Sequence, residues 1–374
     1  MRKRIWIILF VTLAALIVLS ACNTGGSQSA AAPMPDASQP SVPSQSSSEP
    51  DSWENEKLVK ISYSSQYAPG HITAQLEQFL FDTVYEMTGG TVEFIPYWSS
   101  SLFTQTSGYV EVMAGTADGT QIPPFTAMDH FKIEPAMVMF FASAPFNYKQ
   151  KVMAFEEFFG MTPELQEEWA GLIPINWGTG GTDLYMMTTT PIATLEDLRG
   201  KTFRVTGDHI IRIIEELNGL AIKMPSGEVF DAMTRGILQG AWSTLNSMTD
   251  VNYIDVCKYV TPVGIHTEGG LNRFMRKDKY NEMSPKQQEA FQKALLVFRA
   301  ENAIRYTANE QRILDYCRNN GVTIFDLPEK DKQLIRDKLN IIALEEVEKL
   351  NAMGYDGTRM YNDAQMLIAK YLQY

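Results

Sequence analysis

The chain has 374 residues, 45% of them hydrophobic, with 32 Lys+Arg against 44 Asp+Glu. At about 100–200 residues per domain, this length holds two or three domains with cores of their own. The net charge of −12 excludes a nucleic-acid surface, which needs clustered Lys and Arg to displace counterions. Any anionic ligand must be held by local geometry against the overall field.

The basic residues Arg2, Lys3 and Arg4 precede an apolar run, Ile5 to Leu19, shorter than the roughly 20 residues a spanning helix needs. An export signal is the better reading. It ends in Leu19-Ser20-Ala21-Cys22, which resembles a bacterial lipobox with Cys22 as the lipidated residue. The plain alternative is an ordinary signal peptide that happens to contain a cysteine. Residues 1–22 are thus expected to be a lipoprotein signal peptide and 23–56 a disordered Ser/Pro-rich tether, too poor in large apolar side chains to offset its ordering entropy.

Beyond the tether, strand and helix patterns alternate. Val59–Tyr63 is a strand; Ile72, Leu76, Phe79, Leu80, Val84 and Met87 share one helical face; Gly89-Gly90 stops that helix. A strand at Thr91–Ile95, a short helix at Tyr109–Ala114 and a strand at Asp118–Ile122 follow. This β-α-β-α-β order predicts a parallel sheet with helices on its faces. A second unit repeats it with strands Phe203–Thr206, Ala221–Lys223 and Leu238–Trp242 around helices His209–Leu217 and Gly227–Thr234. After Ser284-Pro285 a helical pattern runs from Lys286 to about Asn319. At 1.5 Å per residue it is roughly 50 Å long, enough to brace both units. Helices near Glu329–Met353 and Asn362–Leu372 finish the chain.

Enzyme signatures fail on inspection. Gly200-Lys201-Thr202 lacks the earlier glycine of a phosphate loop, where Leu195 stands, and leads into a strand. The Gly178–Gly181 run is likewise followed by a strand, Tyr185–Thr189, and suits a hinge. There is no GxSxG elbow, HExxH or CxxC. Paired acids such as Glu156-Glu157 fit a solvated helix face. No catalytic residues, metal site or cofactor are expected.

Several ordered segments resemble the substrate-binding proteins of TRAP (tripartite ATP-independent periplasmic) transporters: Met87–Val92, Val112–Asp118, Ala144–Phe146, Pro191–Val205 with its Leu195-Glu196-Asp197-Leu198-Arg199-Gly200-Lys201 core, Met224–Phe230, Glu268–Gly270 and Met283–Pro285. The resemblance covers about residues 58–350. It implies an α/β, two-lobed, periplasmic-binding-protein-like fold: two sheets flanked by helices, a ligand cleft between lobes, and a long bracing helix. Lobe I would comprise 57–180, with about 269–308 returning to it, and lobe II 181–268, with about 309–374 returning. The implied function is capture of a small organic acid and its delivery to a TRAP membrane permease, from an extracytoplasmic position anchored to the membrane at Cys22.

The same resemblance implies Arg204 as carboxylate anchor, since a guanidinium offers two parallel donors to two oxygens. On its own, Arg204 also fits a salt bridge at a sheet edge. Where many relatives carry polar or charged residues, this chain has Leu184, Tyr185 and Trp242-Ser243, which implies an apolar or aromatic wall and a monocarboxylate rather than a dicarboxylate. The absence of a carboxylate at Trp242 argues against a bound cation. Trp177, Gln66, Tyr67, Trp98 and Gln121 are expected to line the cleft from loops after strands, and Glu268 to line it or pair with Arg204. His71 fits a helix start or a ligand contact equally well. Competing readings are the receptor of an ATP-driven importer, a ligand-sensing lipoprotein, and an exported hydrolase.

Overall fold

A computed structural model describes residues 52–123, 126–177, 184–205, 208–224, 226–264 and 272–373. Cys22, the Gly178–Gly181 run and Glu268 lie outside them. In chain order the elements are β1 (Val59–Ser64), α1 (Ile72–Met87), β2 (Val92–Tyr97), α2 (Gly108–Ala114), β3 (Gly119–Ile122), α3 (Ile133–Phe140), α4 (Tyr148–Met161), α5 (Pro163–Glu168) and β4 (Leu172–Asn176). The chain then builds β5 (Tyr185–Thr188), β6 (Thr202–Val205), α6 (Asp208–Glu216), β7 (Leu220–Lys223), α7 (Ser226–Thr234), β8 (Gly240–Ser243), α8 (Ser247–Asp250) and β9 (Tyr259–Pro262). It returns through β10 (Asn272–Arg276), α9 (Lys277–Tyr280), α10 (Pro285–Asn319), β11 (Thr323–Ile324), α11 (Glu329–Ala352) and α12 (Gly357–Tyr371).

Two mixed sheets result, ordered β2-β1-β3-β10-β4 and β11-β9-β5-β8-β6-β7. The β-α-β-α-β units are parallel as expected: β1 pairs in parallel with β2 and β3, and β6 with β7 and β8. The sheets as wholes are not parallel, because β10 runs antiparallel to β3 and β4, and β5 antiparallel to β8 and β9. The reason is topological. Parallel strands end at the edge facing the other lobe, whereas a strand arriving from that lobe starts there and must run the other way. The C-terminal ends of β1, β3 and β4 therefore share one edge with the start of β10, and those of β6, β8 and β9 share one with the start of β5.

The brace forms as the pattern predicts. Ser284 and Gln287 make a reciprocal capping box and Pro285 opens the first turn, where a missing N–H costs nothing. Its buried stripe changes character along its length: Phe291, Ala294, Leu295 and Phe298 pack on the first sheet's core and Ile313 and Cys317 on the second's. Between them, buried Asn302, Tyr306 and Asn309 make a polar stretch where the helix passes from one lobe to the other. The resemblance implies that the last helices return to lobe II, but α12 packs on α3 and α4 of lobe I. Helix α11 divides, with Ile335 and Leu339 in a lobe II core and Val347 and Leu350 in a lobe I core.

Candidate functional site

Residues facing each other across paired strands point to the same side of a sheet, and neighbours along a strand to opposite sides. That parity sorts the lobe II candidates. Arg204 lies opposite Ala241, and Tyr185 opposite Ser243. Tyr185, Ala241 and Val260 belong to the core that Ile313 and Cys317 of α10 complete. On this side the Arg204 Nε donates to the Met224 carbonyl at 3.0 Å and its Nη1 to Ser243 Oγ at 3.5 Å; Ser243 Oγ is 3.2 Å from Ser247 Oγ. Arg204 is only 6% exposed. Among the described residues no carboxylate pairs with it. Burial pushes the nearby Tyr253 hydroxyl up to about 12, with Arg204 pulling the other way.

Leu184 and Trp242 fall on the other side. Both are buried in a separate core with Met186, Phe203, Val205 and Ile213, so they do not share a wall with Arg204. The expectation of an aromatic and apolar wall around the acid fails for these two residues because each lies one position from the residue that faces Arg204. Trp177 is also core: its ring sits 5.0 Å from those of Phe159 and Trp169.

In lobe I, Gln66 and Tyr67 follow β1 and are half-buried. Burial raises the Tyr67 pKa, with a Gln66 hydrogen bond opposing it. Ser99 N donates to the Tyr67 carbonyl at 3.0 Å and Ser100 N to that of Ser65 at 2.9 Å. Those bonds hold the loop after β2 beside the loop after β1, while the Trp98 ring leans inward at 6.0 Å from Phe81. Gln121 is buried, its Nε2 donating to Ser65 Oγ at 3.4 Å.

The structure adds residues the motifs do not mark. Arg273 is the second residue of β10, directly opposite Gln121 and Asn176. It is fully buried, its Nε 3.2 Å from Glu77 Oε1 and its Nη2 3.4 Å from the Thr73 carbonyl. Burial works against the Arg273 charge, but Glu77, Tyr63, Tyr306 and Tyr148 together outweigh it and raise the pKa. Burial likewise raises Glu77, opposed first by Arg273. From the brace, the Tyr306 hydroxyl lies 2.7 Å from Thr73 Oγ1, Asn302 donates to the Tyr148 hydroxyl, and Asn309 Nδ2 donates to Asn246 Oδ1 of lobe II at 3.0 Å. The signal for the brace residues was present: three polar residues at i, i+4 and i+7 interrupt the apolar stripe that runs from Ala290 to Cys317.

His71 is a helix start and more. Its Nδ1 accepts from Thr73 N at 3.0 Å, capping α1, which leaves the proton on Nε2. That nitrogen sits 2.7 Å from Asp250 Oδ2 in lobe II, and the ring stacks on Tyr67 at 4.0 Å. One side chain thus caps a lobe I helix and bonds across to lobe II.

Two α/β lobes meeting edge to edge over a buried guanidinium, and spanned by one helix, define the class: a two-lobed solute-binding protein. The chain belongs to the bacterial extracellular solute-binding proteins, family 7, whose family profile matches residues 63–349. A solute-binding protein of Chromohalobacter salexigens is 27% identical over 307 residues, covering 78% of this chain and 83% of that protein. Among solved structures, a TRAP periplasmic solute-binding protein of Desulfovibrio salexigens superposes with a TM-score of 0.72 at 19% identity, covering 84% of this chain and 96% of that one. One from Rhodoferax ferrireducens, holding copurified benzoate, gives 0.71 at 18% identity over 84% and 99% of the two chains. A third, from Chromohalobacter salexigens with bound d-glucuronate, gives 0.67 at 20% identity over 82% and 99%. The chain is a TRAP solute-binding protein, and its family is extracytoplasmic.

Proposed function

We propose that this protein captures a small organic acid by its carboxylate, with Arg204 as the anchor, and carries it to the membrane permease of its transporter while tethered by a lipid on Cys22. The observation behind the anchor is the guanidinium itself. It is buried, oriented by the Met224 carbonyl and Ser243 Oγ, and has no carboxylate partner among the described residues. A buried cation without a counter-charge is costly, and a ligand carboxylate would remove that cost with two parallel hydrogen bonds. The benzoate and d-glucuronate of two structural neighbours each carry one carboxylate, which supports the reading.

Calorimetric titration with the cognate acid tests it. Arg204→Ala is expected to weaken binding by about 2–5 kcal/mol, and Arg204→Lys to weaken it through loss of the bidentate fork. Unchanged affinity in Arg204→Ala refutes the anchor. For the tether, Cys22→Ser is expected to release the protein from the membrane fraction; retention there refutes lipid anchoring.

A further inference from the structure

Resting on that reading of Arg204, we propose that the single helical turn α8 couples the acid to the approach of the lobes, with Ser247 as its positioning residue. A carboxylate arriving on Arg204 orders this turn through Ser243 and Ser247, and the ordered turn holds Asp250 ready for His71 of lobe I. Three contacts meet there. Ser247 Oγ lies 3.2 Å from Ser243 Oγ, which accepts from Arg204 Nη1 at 3.5 Å. Asn246, the residue before α8, accepts through Oδ1 from Asn309 Nδ2 of the brace at 3.0 Å. Asp250, the last residue of α8, accepts from His71 Nε2 at 2.7 Å.

The turn is built to move as one piece. The N–H groups of Thr249 and Asp250 both bond back to the Asn246 carbonyl, at 3.0 and 2.9 Å. Asp250 stands three residues after Ser247 and four after Asn246, spacings that share one helical face. Met248 leaves from the opposite face and is fully buried in the lobe II core that holds Tyr253 and Ile313. The brace thus fixes one end of the turn and the core fixes its back, while Asp250 at the other end is exposed.

Hydroxyl chemistry supplies the signal. A serine has one proton to donate. With Ser243 Oγ accepting from Arg204, either serine can be the donor in the Ser243–Ser247 contact, so the turn keeps two arrangements. A carboxylate held on the guanidinium takes the Ser243 proton as well, since a charged acceptor makes the stronger bond. Ser247 must then be the donor. One of the two arrangements is lost, the turn is ordered, and Asp250 meets His71 at a smaller entropy cost. Linkage makes the effect reciprocal: the factor that the acid adds to the His71–Asp250 bond is the factor that this bond adds to the acid's affinity. No ligand atom has to reach lobe I for this, which sets the relay apart from an acid that closes the lobes only by touching both.

Acetate, too short to span two lobes, is the probe, with sodium chloride at equal ionic strength as the control. In nitrogen-resolved NMR spectra the His71 Nε2–H signal, assigned among four histidines by its loss in His71→Ala, reads the contact with Asp250. The Arg204 Nε–H signal reads the anchor. Saturating acetate is expected to move both in the wild type. In Ser247→Ala the Arg204 signal should still respond, at higher acetate, while the His71 response falls about three-fold or more. Ser247→Thr, which keeps the hydroxyl, should restore it. Asp250→Ala should weaken acetate binding by about three-fold, the worth of one ordinary hydrogen bond. Removing a negative charge by itself favours an anion, so this sign belongs to the relay alone. A His71 signal unmoved by acetate in the wild type, an undiminished response in Ser247→Ala, or equal or tighter acetate binding by Asp250→Ala overturns the relay. The anchor fails separately, and the relay with it, if the Arg204 signal ignores acetate or if Arg204→Ala binds acetate as the wild type does.

Discussion

The contact between His71 and Asp250 joins the lobes directly, and its removal makes a sharp prediction. The 2.7 Å Nε2–Oδ2 bond carries a neutral imidazole donor on an ionised acceptor, with side-chain exposures of 18% and 31%. Such charge-assisted bonds are worth about 1.5–3 kcal/mol when buried, and partial exposure lowers this one to about 1–2 kcal/mol. If the lobes separate, both groups return to water and the gain is lost. Asp250→Ala is then expected to reduce the ratio of approached to separated lobes by about five- to thirty-fold. Asp250→Asn, which keeps an acceptor, should have a smaller effect. Energy transfer between fluorophores on the outer strands β2 and β7 reads the lobe distance, and stopped-flow release reads the ligand off-rate. Because the bond joins two protein side chains, every ligand should leave faster by a similar factor. His71→Ala should also lose the α1 cap, about 1 kcal/mol of stability, and a double-mutant cycle with Asp250→Ala separates the two roles. Unaltered lobe distances and off-rates in Asp250→Ala refute the reasoning.

Other perturbations follow from the cores. Burial, and then the Glu168 charge, push the Glu134 pKa well above its ordinary value; the acid is protonated when folded but ionises above about 4.5 when unfolded. Stability should therefore fall as pH rises from there, by up to about 1.4 kcal/mol per pH unit, until the folded-state pKa is reached. Chemical denaturation of Glu134→Gln should show a gain over wild type that grows with pH; parallel profiles contradict this. A Cβ on Gly240 would meet the Met187 carbonyl and Thr188 Cγ2, both at 2.6 Å. Gly240→Ala should thus lose about 1–3 kcal/mol, read as a lowered denaturation midpoint. Burial pushes the Cys257 thiol up to about 12 and that of Cys317 to about 11, so alkylation at pH 8 should modify neither until denaturant is added, as intact-mass measurement would show.

Local rules carried much of the fold. The 3.6-residue period from Ile72 to Met87 gave α1, and its stop is visible in Gly89 and Gly90, whose φ angles are +59° and +80°. Ser284-Pro285 marked the start of the brace. Long-range pairing was not legible: nothing local in Asn272–Arg276 says that it enters the middle of the first sheet, or in which direction. The site divides along the same line. Arg204 stood in a recognisable motif. Whether Trp242 or its neighbour Ser243 faces Arg204 depends on strand register, which a one-residue shift inverts. Asp356 caps α12 by accepting from Arg359 N, so that helix begins at Gly357, earlier than the apolar period from Asn362 suggests.

The place of β10 has a consequence for the order of assembly. It sits between β3 and β4, which pair with it and not with each other, yet all of β5 to β9 precedes it in the chain. As the chain emerges from its N-terminus, β3 and β4 are made early but have nothing to hold them together. Lobe II, five of whose six strands are contiguous in the chain, can complete most of its sheet first. The lobe that comes first in sequence therefore waits for most of the second, and the pairing of β3 and β4 with β10 closes a long loop, the kind of step that slows folding. Until Arg273 arrives opposite Gln121 and Asn176, Glu77 has no buried counter-charge. That ion pair can form only after the strands of the second lobe that precede β10 have been made.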